Sequence, residues 1–341
     1  MFPFTLFYVD TGLDLTEGVG HVRGGGPLVI VTCTPNPSVD RTVEVDQLLR
    51  GQVQRLTAAR VDPGGKGVNV ARALHRNGHP AHAVVPVGGS DGAQFVAMLA
   101  DVGVPMTSVP VAAPMRVNVT VAEADGTTTK LNAEGAQLTT EARERLLSVT
   151  VSLTEADGWI AGCGSLPPGA GDDFYADLVE RGRRAGCYTA IDASGPALAA
   201  AVEARPSLIK PNYHELAELS GAELTNFADA VYAARALCDR GVGMVLLSLG
   251  VDGALLVTGD DVRYGDSEPV TVRSTVGAGD ALLAGFLAGG ASGAQALISG
   301  LTWATAACQL PGSTMPGPED LDGPSVRMHD AYEPERPLKG D

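Results

Sequence analysis

Short apolar, β-branched runs recur along the chain, and segments of helical length separate most of them. The run at 28–33 is apolar almost throughout, which is typical of a strand buried on both faces in a parallel sheet. Strands that alternate with helices predict a βαβ-built sheet with helices on both faces. The predicted strands are 28–33, 83–87, 158–161, 189–192, 207–210, 244–248 and 254–258, and the predicted helices are 68–77, 94–102, 173–185, 228–240, 282–300 and 301–310.

Other segments alternate apolar with polar residues, which is typical of a half-exposed antiparallel sheet. They lie at 42–46 and 53–61, and again at 116–123 and 127–132, where Asp125-Gly126 predicts a hairpin turn. We therefore expect a small β lid on a larger α/β domain. The predicted organisation is a flexible leader at 1–26, a domain at 27–318 with its lid at about 41–62 and 107–133, and an irregular Pro- and Gly-rich tail from 311, whose part at 319–341 lies outside the domain.

Composition limits the classes of function. The chain has 341 residues, of which 45% are hydrophobic, and its formal net charge is −16. Such acidity argues against a nucleic-acid partner, because Lys and Arg supply most of that affinity. A small anionic substrate stays open, since it needs only two or three well-placed cations or a helix N-terminus. No apolar run approaches the roughly 20 residues of a membrane span.

The five cysteines indicate a reducing compartment. They are odd in number, widely spaced and free of any C-x-x-C pair. A disulfide framework or a zinc knuckle is therefore not expected, and the cysteines are interpreted as small buried hydrophobes of a cytoplasmic protein.

The run Gly277-Ala278-Gly279-Asp280 precedes an apolar helical pattern. Backbone N–H groups at a helix N-terminus can bind an anion and stabilise charge on a transferring phosphoryl group. A carboxylate beside them, Asp280, can accept the proton of an attacking hydroxyl. A tight turn in which Asp280 only caps the helix explains the same residues, and this segment alone does not decide between the two.

A second glycine-rich turn, Gly64-Gly65-Lys66-Gly67, opens the helix that carries Asn69. It has neither the spacing of a Walker A loop nor that of a dinucleotide fingerprint. Its glycines would let a ligand approach the backbone, while Lys66 and Asn69 offer a cation and an amide. A plain surface turn is the alternative.

Three further segments follow strand-like runs. Asn212 and Glu215 lie three residues apart and can either form an N-terminal capping box or serve a hydrated Mg²⁺. The turn from Ser248 to Gly253 has room for a nucleotide, although a simple hairpin fits as well. The loop that contains Ser165 comes at a strand end, where α/β folds bind their ligands.

The order of these motifs resembles the PfkB branch of the ribokinase-like carbohydrate kinases, and within it the 1-phosphofructokinase and tagatose-6-phosphate kinase group. The resemblance covers about 28–318. It implies a three-layer α/β/α sandwich with a mainly parallel sheet and a small β lid, ATP and Mg²⁺ as cofactors, and homodimers that pair through the lid. Lys66 favours this group, because a glycine commonly replaces it in the 6-phosphofructokinases of the branch.

The resemblance also implies a role for each matching residue. Asp280 is the general base, with the amides of Gly277, Ala278 and Gly279 as an anion hole. Arg116, on the lid, holds the phosphate that the sugar already carries, and we expect Lys66 to anchor that phosphate with it. The substrate set is Asp40, Gly64, Gly65, Lys66, Asn69, Arg116, Ser165 and Asp280, the nucleotide set is Lys210, Asn212, Ser248, Gly250, Gly253, Thr275, Gly277 and Gly279, and the metal set, through water, is Glu215 with Asn212.

Fructose 1-phosphate is the expected substrate, and fructose 1,6-bisphosphate the expected product. The positions Met115-Arg116 and Ala133-Glu134-Gly135 depart from the group's Thr-Arg and Glu-Pro-Gly. Tagatose 6-phosphate or fructose 6-phosphate therefore stays open as the substrate. A kinase of an unphosphorylated sugar or nucleoside, and a catalytically silent sugar sensor, are the more distant alternatives.

Overall fold

A computed structural model describes residues 29–339, so the leader predicted at 1–26 lies outside the described residues. The large sheet of this part has ten strands, of which seven are parallel neighbours. In spatial order they are β14 (Val326–His329), β13 (Val262–Ser267), β12 (Ala254–Val257), β11 (Val245–Ser248), β10 (Leu208–Ile209), β9 (Tyr188–Asp192), β8 (Trp159–Cys163), β1 (Ile30–Cys33), β4 (Ala81–Val87) and β5 (Met106–Pro110).

Helices cover both faces of this sheet. All four described residues of β1 are buried, as the apolar run predicts, because alternate side chains enter opposite cores. One face carries α1 (Lys66–Arg76), α2 (Gly89–Asp101), α8 (Ala278–Ala288) and α9 (Gly293–Cys308), and the other carries α3 (Thr140–Ser152), α4 (Phe174–Arg184), α5 (Gly195–Glu203), α6 (Tyr213–Ser220) and α7 (Phe227–Asp239). The predicted three-layer α/β/α sandwich is confirmed.

A separate four-stranded sheet forms the predicted lid. Its spatial order is β3 (Ala58–Gly64), β2 (Ser38–Val45), β6 (Arg116–Glu123) and β7 (Thr128–Leu131). The hairpin between β6 and β7 turns at Asp125-Gly126, as predicted. The lid range 107–133 is too long at its start, because β5 pairs with β4 in the large sheet.

The predicted helix boundaries near the C-terminus are wrong. Instead of 282–300 and 301–310, α8 ends at Ala288 and α9 begins at Gly293. Gly290 and Ala291 have φ angles of 98° and 57°, which interrupt the helix and fold it into a hairpin. The two helices approach closely, since a Cβ on Gly285 would lie 2.6 Å from the carbonyl oxygen of Ser299.

The predicted irregular tail is also wrong in part. β14 pairs antiparallel with β13, so it covers an edge that would otherwise expose unpaired backbone groups. Val326 and Met328, which alternate with exposed residues, pack against the core beside α9. Within residues 29–339, no helix has the length and apolar character that a bilayer crossing needs.

Candidate active site

Five parallel strands and two helix N-termini meet where the strands of the large sheet have their carboxyl-terminal ends. The strands β1, β8, β9, β10 and β11 all end there, because parallel neighbours share one direction. Asp192 is the last residue of β9, and Lys210 follows β10 directly. Lys66 begins α1, and Asp280 lies in the first turn of α8. The fold thus brings four charged side chains from distant parts of the chain together.

Asp280 is buried, with 7% of its surface exposed. Its Oδ2 accepts a hydrogen bond of 2.8 Å from Nδ2 of Asn69, which lies on the neighbouring helix α1. Burial, followed by the charge of Asp192, raises the pKa of Asp280 to about 6, although Lys66, Asn69 and Lys210 oppose the rise. A carboxylate with this pKa is still ionised near neutral pH and accepts a proton more readily than an ordinary Asp.

The N-terminus of α8 has unused donors, which include two of the three predicted amides. Gly277 caps the helix with a φ of 83°, and neither its N–H nor that of Gly279 donates a hydrogen bond within residues 29–339. The N–H of Ala278 differs from the prediction, because it donates to the carbonyl oxygen of Thr275 at 3.3 Å. A Cβ on Gly279 would lie 3.3 Å from Nζ of Lys210, so the ammonium group stands beside these amides. The arrangement suits an anion.

Asp192 joins two lysines, and it is absent from the predicted site. Its side chain is fully buried, with Oδ1 2.7 Å from Nζ of Lys66 and Oδ2 3.1 Å from Nζ of Lys210. Burial alone would raise the pKa of Asp192, but the two ammonium groups lower it. Burial would likewise lower the pKa of Lys66, yet Asp192, Asp280 and Glu215 raise it. Asp192 and Lys66 therefore stay charged at neutral pH.

Asn212 and Glu215 form the capping box of α6. The N–H of Asn212 donates to Oε2 of Glu215 at 2.9 Å, and the N–H of Glu215 donates to Oδ1 of Asn212 at 2.8 Å. The other carboxylate oxygen, Oε1, is 4.0 Å from Nζ of Lys66. Because the cap uses Oδ1 of Asn212, only Glu215 offers a free oxygen towards the charged cluster. The described part of the chain holds no group of three His, Cys, Asp or Glu residues that could hold a metal ion.

The lid supplies a second polar wall through Asp40. Its Oδ1 accepts hydrogen bonds from Oγ of Ser38 at 2.7 Å and from Nδ2 of Asn118 at 2.9 Å. Asp40 and Asn118 are paired across β2 and β6, so Asn118 belongs to the site although the sequence did not single it out. Gly64 lies under the carboxylate, where a Cβ would come 2.1 Å from Oδ2. This close approach explains why a glycine stands at that position.

Arg116 lies at a cleft of about 550 Å³ between the lid and the large domain. Its guanidinium donates hydrogen bonds to the carbonyl oxygens of Asn36 at 2.8 Å, Ala133 at 3.0 Å and Pro37 at 3.4 Å. Burial lowers the pKa of Arg116 and Asp40 opposes this, while the group remains charged at any physiological pH. The carbonyl groups fix the guanidinium plane at the cleft.

Asn36 connects the walls of this cleft. The buried Nδ2 donates to the carbonyl oxygen of Glu134 at 2.9 Å and to Oγ of Ser165 at 3.2 Å. Gly164, before Ser165, would place a Cβ 3.9 Å from Cβ of Lys66, so the cleft adjoins the charged cluster. Sequence reasoning did not single out Asn36, although its place between Pro35 and Pro37 at a strand end is a usable signal.

Some of the predicted nucleotide residues lie beside Lys210, whereas others have a structural role or lie on the surface. Ser248 ends β11 and forms a bridge with Asn212, which places both beside Lys210. Gly253 has a φ of 88°, and a Cβ there would lie 2.2 Å from the carbonyl oxygen of Gly265, so packing against β13 accounts for it. Gly250, with a φ of 55°, turns the chain ahead of it, and Thr275 is exposed.

Comparisons with known proteins agree with this geometry. The model of the pfkB family of carbohydrate kinases matches residues 34–320. The chain is 41% identical to 1-phosphofructokinase of Haloferax volcanii over 299 residues, which is 86% of this chain and 95% of the relative. It is 37% identical to ATP-dependent 6-phosphofructokinase isozyme 2 of Mycobacterium tuberculosis over 262 residues, which is 76% of this chain and 77% of the relative.

A solved structure shares the fold. The crystal structure of phosphofructokinase-2 from Escherichia coli in complex with fructose-6-phosphate superposes with a TM-score of 0.81 at 32% sequence identity. The match covers 86% of this chain and 97% of the other.

Proposed function

The chain belongs to the pfkB family of carbohydrate kinases, and we propose that it transfers the terminal phosphate of ATP to a hydroxyl group of a ketohexose phosphate. The observation that carries the proposal is Asp280 itself. It is buried, held by Asn69, and its pKa is raised to about 6 beside two unused helix amides. A proton acceptor next to an anion-binding helix terminus is what phosphoryl transfer to an alcohol requires.

We propose fructose 1-phosphate as the sugar and fructose 1,6-bisphosphate as the product. The identity of 41% to a 1-phosphofructokinase over 95% of its length supports this choice. Lys66 supports it too, as the feature typical of that group. Fructose 6-phosphate is the second candidate, because a 6-phosphofructokinase isozyme is 37% identical. Tagatose 6-phosphate would need the same contacts.

The sugar phosphate would lie between the lid and the sheet edge. Asp40 and Asn118 face the region where sugar hydroxyl groups would bind, and a carboxylate with an amide can accept and donate to them. Arg116 and Ser165, at the cleft of about 550 Å³, would hold the existing phosphate. The attacking hydroxyl would then approach Asp280, which removes its proton while the amides of Gly277 and Gly279 stabilise the transferring phosphate.

Lys66 is better placed for the transferred phosphate than for the far one. Its Nζ contacts Asp192 and lies 4.0 Å from Glu215, among the groups that surround Asp280. Arg116 instead contacts Asn36, Pro37 and Ala133. We propose that Lys66 and Lys210 neutralise charge that develops on the transferring group, and that Asp192 fixes both ammonium groups.

ATP would lie along the edge formed by Lys210, Asn212 and Ser248. Mg²⁺ fits this edge through Glu215, whose free oxygen lies near the cluster and can hold a water ligand. Bound Mg²⁺ would neutralise phosphate charge. The protein's own part is to orient the phosphates with Lys210 and the helix amides.

We also propose a homodimer that pairs through the lid. Several large apolar side chains of the lid and its loops are exposed, namely Leu48, Leu49, Val53, Leu56 and Leu131. Exposed apolar side chains of this size on the lid support an interface with a second copy there. Light scattering after gel filtration would show a dimer that Leu131→Lys with Leu49→Glu weakens, whereas a monomer at every protein concentration contradicts the proposal.

We also propose that the enzyme is cytoplasmic. All five cysteines are free thiols, which suits a reducing compartment. Fractionation of the native cell would test this, and recovery of the protein outside the cytoplasmic fraction would contradict it.

The substrate is tested by ADP release against a panel of sugars. Fructose 1-phosphate, fructose 6-phosphate, tagatose 6-phosphate and free fructose would be compared at equal concentration with ATP and Mg²⁺. We expect the highest kcat/KM with fructose 1-phosphate and a much lower value with free fructose. The best activity on free fructose would overturn the sugar-phosphate proposal, and no ADP release on any sugar would overturn the kinase proposal.

A further inference from the structure

Arg72 contacts the residue that holds the proposed base. It follows Asn69 by three positions on α1, so the two side chains share one face of the helix. Nη1 of Arg72 donates to Oδ1 of Asn69 at 3.1 Å. Nδ2 of the same amide donates to Oδ2 of Asp280 at 2.8 Å. The three side chains therefore form one chain of hydrogen bonds that ends at the base.

The chemistry of Arg72 fixes the direction of this chain. A guanidinium has only donors, so the amide of Asn69 must turn its oxygen towards it. The NH₂ group is then left for the carboxylate of Asp280, where an amide oxygen would be repelled. Without Arg72, nothing in these contacts prevents the amide from turning over. A turned amide would favour the protonated form of Asp280, because an oxygen can accept from it but cannot donate.

Arg72 is itself held in place from two sides. Nη1 also donates to the carbonyl oxygen of Pro63 at 3.2 Å and to that of Ser313 at 3.4 Å. Pro63 precedes Gly64 at the end of β3, and Ser313 lies in the segment after α9. Because both contacts are to backbone, the position of the guanidinium depends on the fold rather than on mobile side chains.

Charged groups surround both ends of the chain of hydrogen bonds. Around Arg72 they are Asp62, Arg60, Asp40 and Arg76, and burial lowers the pKa of Arg72. The group nevertheless stays protonated, since the pKa of an Arg begins above 12. Around Asp280 they are Asp192, Lys66 and Lys210. The buried thiol of Cys163 also lies near these groups.

We propose that Arg72 is a positioning residue that orients the amide of Asn69, so that its NH₂ group keeps Asp280 ionised and aligned for proton removal. The inference rests on the proposed role of Asp280 as the base.

Arg76 provides a matched control. It lies one turn later on the same helix and donates to the carbonyl oxygen of Met315 at 2.7 Å, with ion pairs to Glu319 and Asp320. Like Arg72, it ties α1 to the segment after α9. Unlike Arg72, it makes no hydrogen bond to Asn69. A purely structural role would make Arg72→Met and Arg76→Met behave alike.

The test is the pH dependence of kcat/KM in the full-length enzyme. Arg72→Met should move the acid limb to higher pH by about half a pH unit or more, because Asp280 loses a donor that favours its charged form. Arg76→Met should leave the limb in place. Arg72→Lys should retain most of the wild-type pH profile, because a Lys side chain has only donors. Arg72→Gln should move the acid limb to higher pH, because a Gln amide has an acceptor as well as a donor and no longer fixes the orientation of Asn69.

A double-mutant cycle separates action through Asn69 from a direct effect. Asn69→Ala removes the same hydrogen bond, so adding Arg72→Met to it should cause no further shift of the limb. Additive shifts, or a wild-type limb in both Arg72→Met and Arg72→Gln, would overturn the inference. Thermal unfolding of each variant shows which ones are folded. If Arg72→Met does not fold, the positions of the acid limb in Arg72→Gln and Arg72→Lys are compared instead. A wild-type enzyme without ADP release would instead overturn the proposed function.

Discussion

The pKa of Asp280 depends on its neighbours in space more than on the residues next to it in the sequence. The run around it explains the helix terminus and the two unused amides, but burial and Asp192 are what raise its pKa. Lys66 and Lys210 lie close enough to oppose this rise, so the carboxylate remains ionised at neutral pH. A base in this state is matched to work near pH 7.

The raised pKa predicts an acid limb in the activity of the wild-type enzyme. As the proposed base, Asp280 would remove a proton only when it is ionised, so kcat/KM should rise with pH through about 6 and level off above it. The limb should be absent from the residual activity of Asp280→Asn. Initial rates between pH 5 and 8.5, with the ionisation of the sugar phosphate measured separately, check this. A flat profile down to pH 5 contradicts the assignment.

Arg116 is expected to act on sugar binding. Arg116→Ala should raise the KM for the sugar phosphate roughly 10- to 100-fold, because a charge-assisted contact with phosphate is lost, and leave the KM for ATP nearly unchanged. Arg41→Ala is a suitable control, since Arg41 is exposed on the same lid and, within residues 29–339, forms an ion pair only with Asp91, at 3.4 Å. Equal effects of the two substitutions would remove Arg116 from the phosphate site.

The residues that sequence reasoning missed are those that only the fold brings together. Asp192 ends an apolar strand, and its partners lie 126 residues before it and 18 residues after it along the chain. Asn118 faces Asp40 because of the register between β2 and β6. An acidic residue that ends a buried parallel strand was a usable signal for Asp192, whereas no local pattern marks Asn118.

At the scale of elements, the buried strands were the easiest to predict. Their apolar, β-branched runs are short and bounded by turn residues, so β4, β8, β9, β11 and β12 occur where expected. The ribokinase-like fold with its lid is confirmed. β14 was missed because Pro and Gly surround it, and its pairing with β13 depends on distant residues. The break between α8 and α9 was misplaced because apolar residues continue on both sides of it.

The contact between α8 and α9 makes a prediction about stability. Gly285→Ala should lower the free energy of unfolding by about 1–2 kcal/mol, because the new Cβ would overlap the backbone of α9, and this outweighs the gain in helix propensity. Gly259→Ala is the control, since a Cβ there would contact nothing within 4 Å. Denaturant unfolding of both variants measures the difference. A stabilised Gly285→Ala would show that the helices can separate at no cost.

At the scale of the whole molecule, the C-terminal segment ties distant parts together. Arg336 donates to Oδ1 of the fully buried Asp252 at 2.8 Å and to the hydroxyl oxygen of Tyr264 at 2.9 Å. Its guanidinium also lies over the ring of Phe227. The segment therefore joins α7, the turn before β12 and the strand β13, and it supports the loop that follows Ser248.

Arg336→Met should lower the free energy of unfolding by about 2–3 kcal/mol, because Asp252 would remain buried with a weakened set of partners. Arg184→Met removes an exposed ion pair with Glu180 and should change it by less than about 0.5 kcal/mol. Thermal and denaturant unfolding compare the two. Similar small effects would mean that the tail adds little to the stability of the fold.

The lid is joined to the large domain through the segment after α9. Nη1 of Arg60, on β3, donates to the carbonyl oxygen of Pro311 at 3.1 Å, and Arg72 contacts both Pro63 and Ser313. Met315 packs against Gly277 at the start of α8. One short segment thus contacts the proposed sugar-binding wall on the lid, the helix of Asn69 and the N-terminus of α8. The contacts hold the lid and the N-terminus of α8 together at the candidate site.

The central claim is that Asp280 removes the proton of the attacking hydroxyl, and the turnover of Asp280→Asn tests it most directly. The variant should bind ATP and the sugar phosphate with dissociation constants within about threefold of the wild type, while kcat falls by at least about 10²-fold. Asp260→Asn, an exposed acid in a turn, should retain full activity. A near-normal kcat in Asp280→Asn would contradict the account.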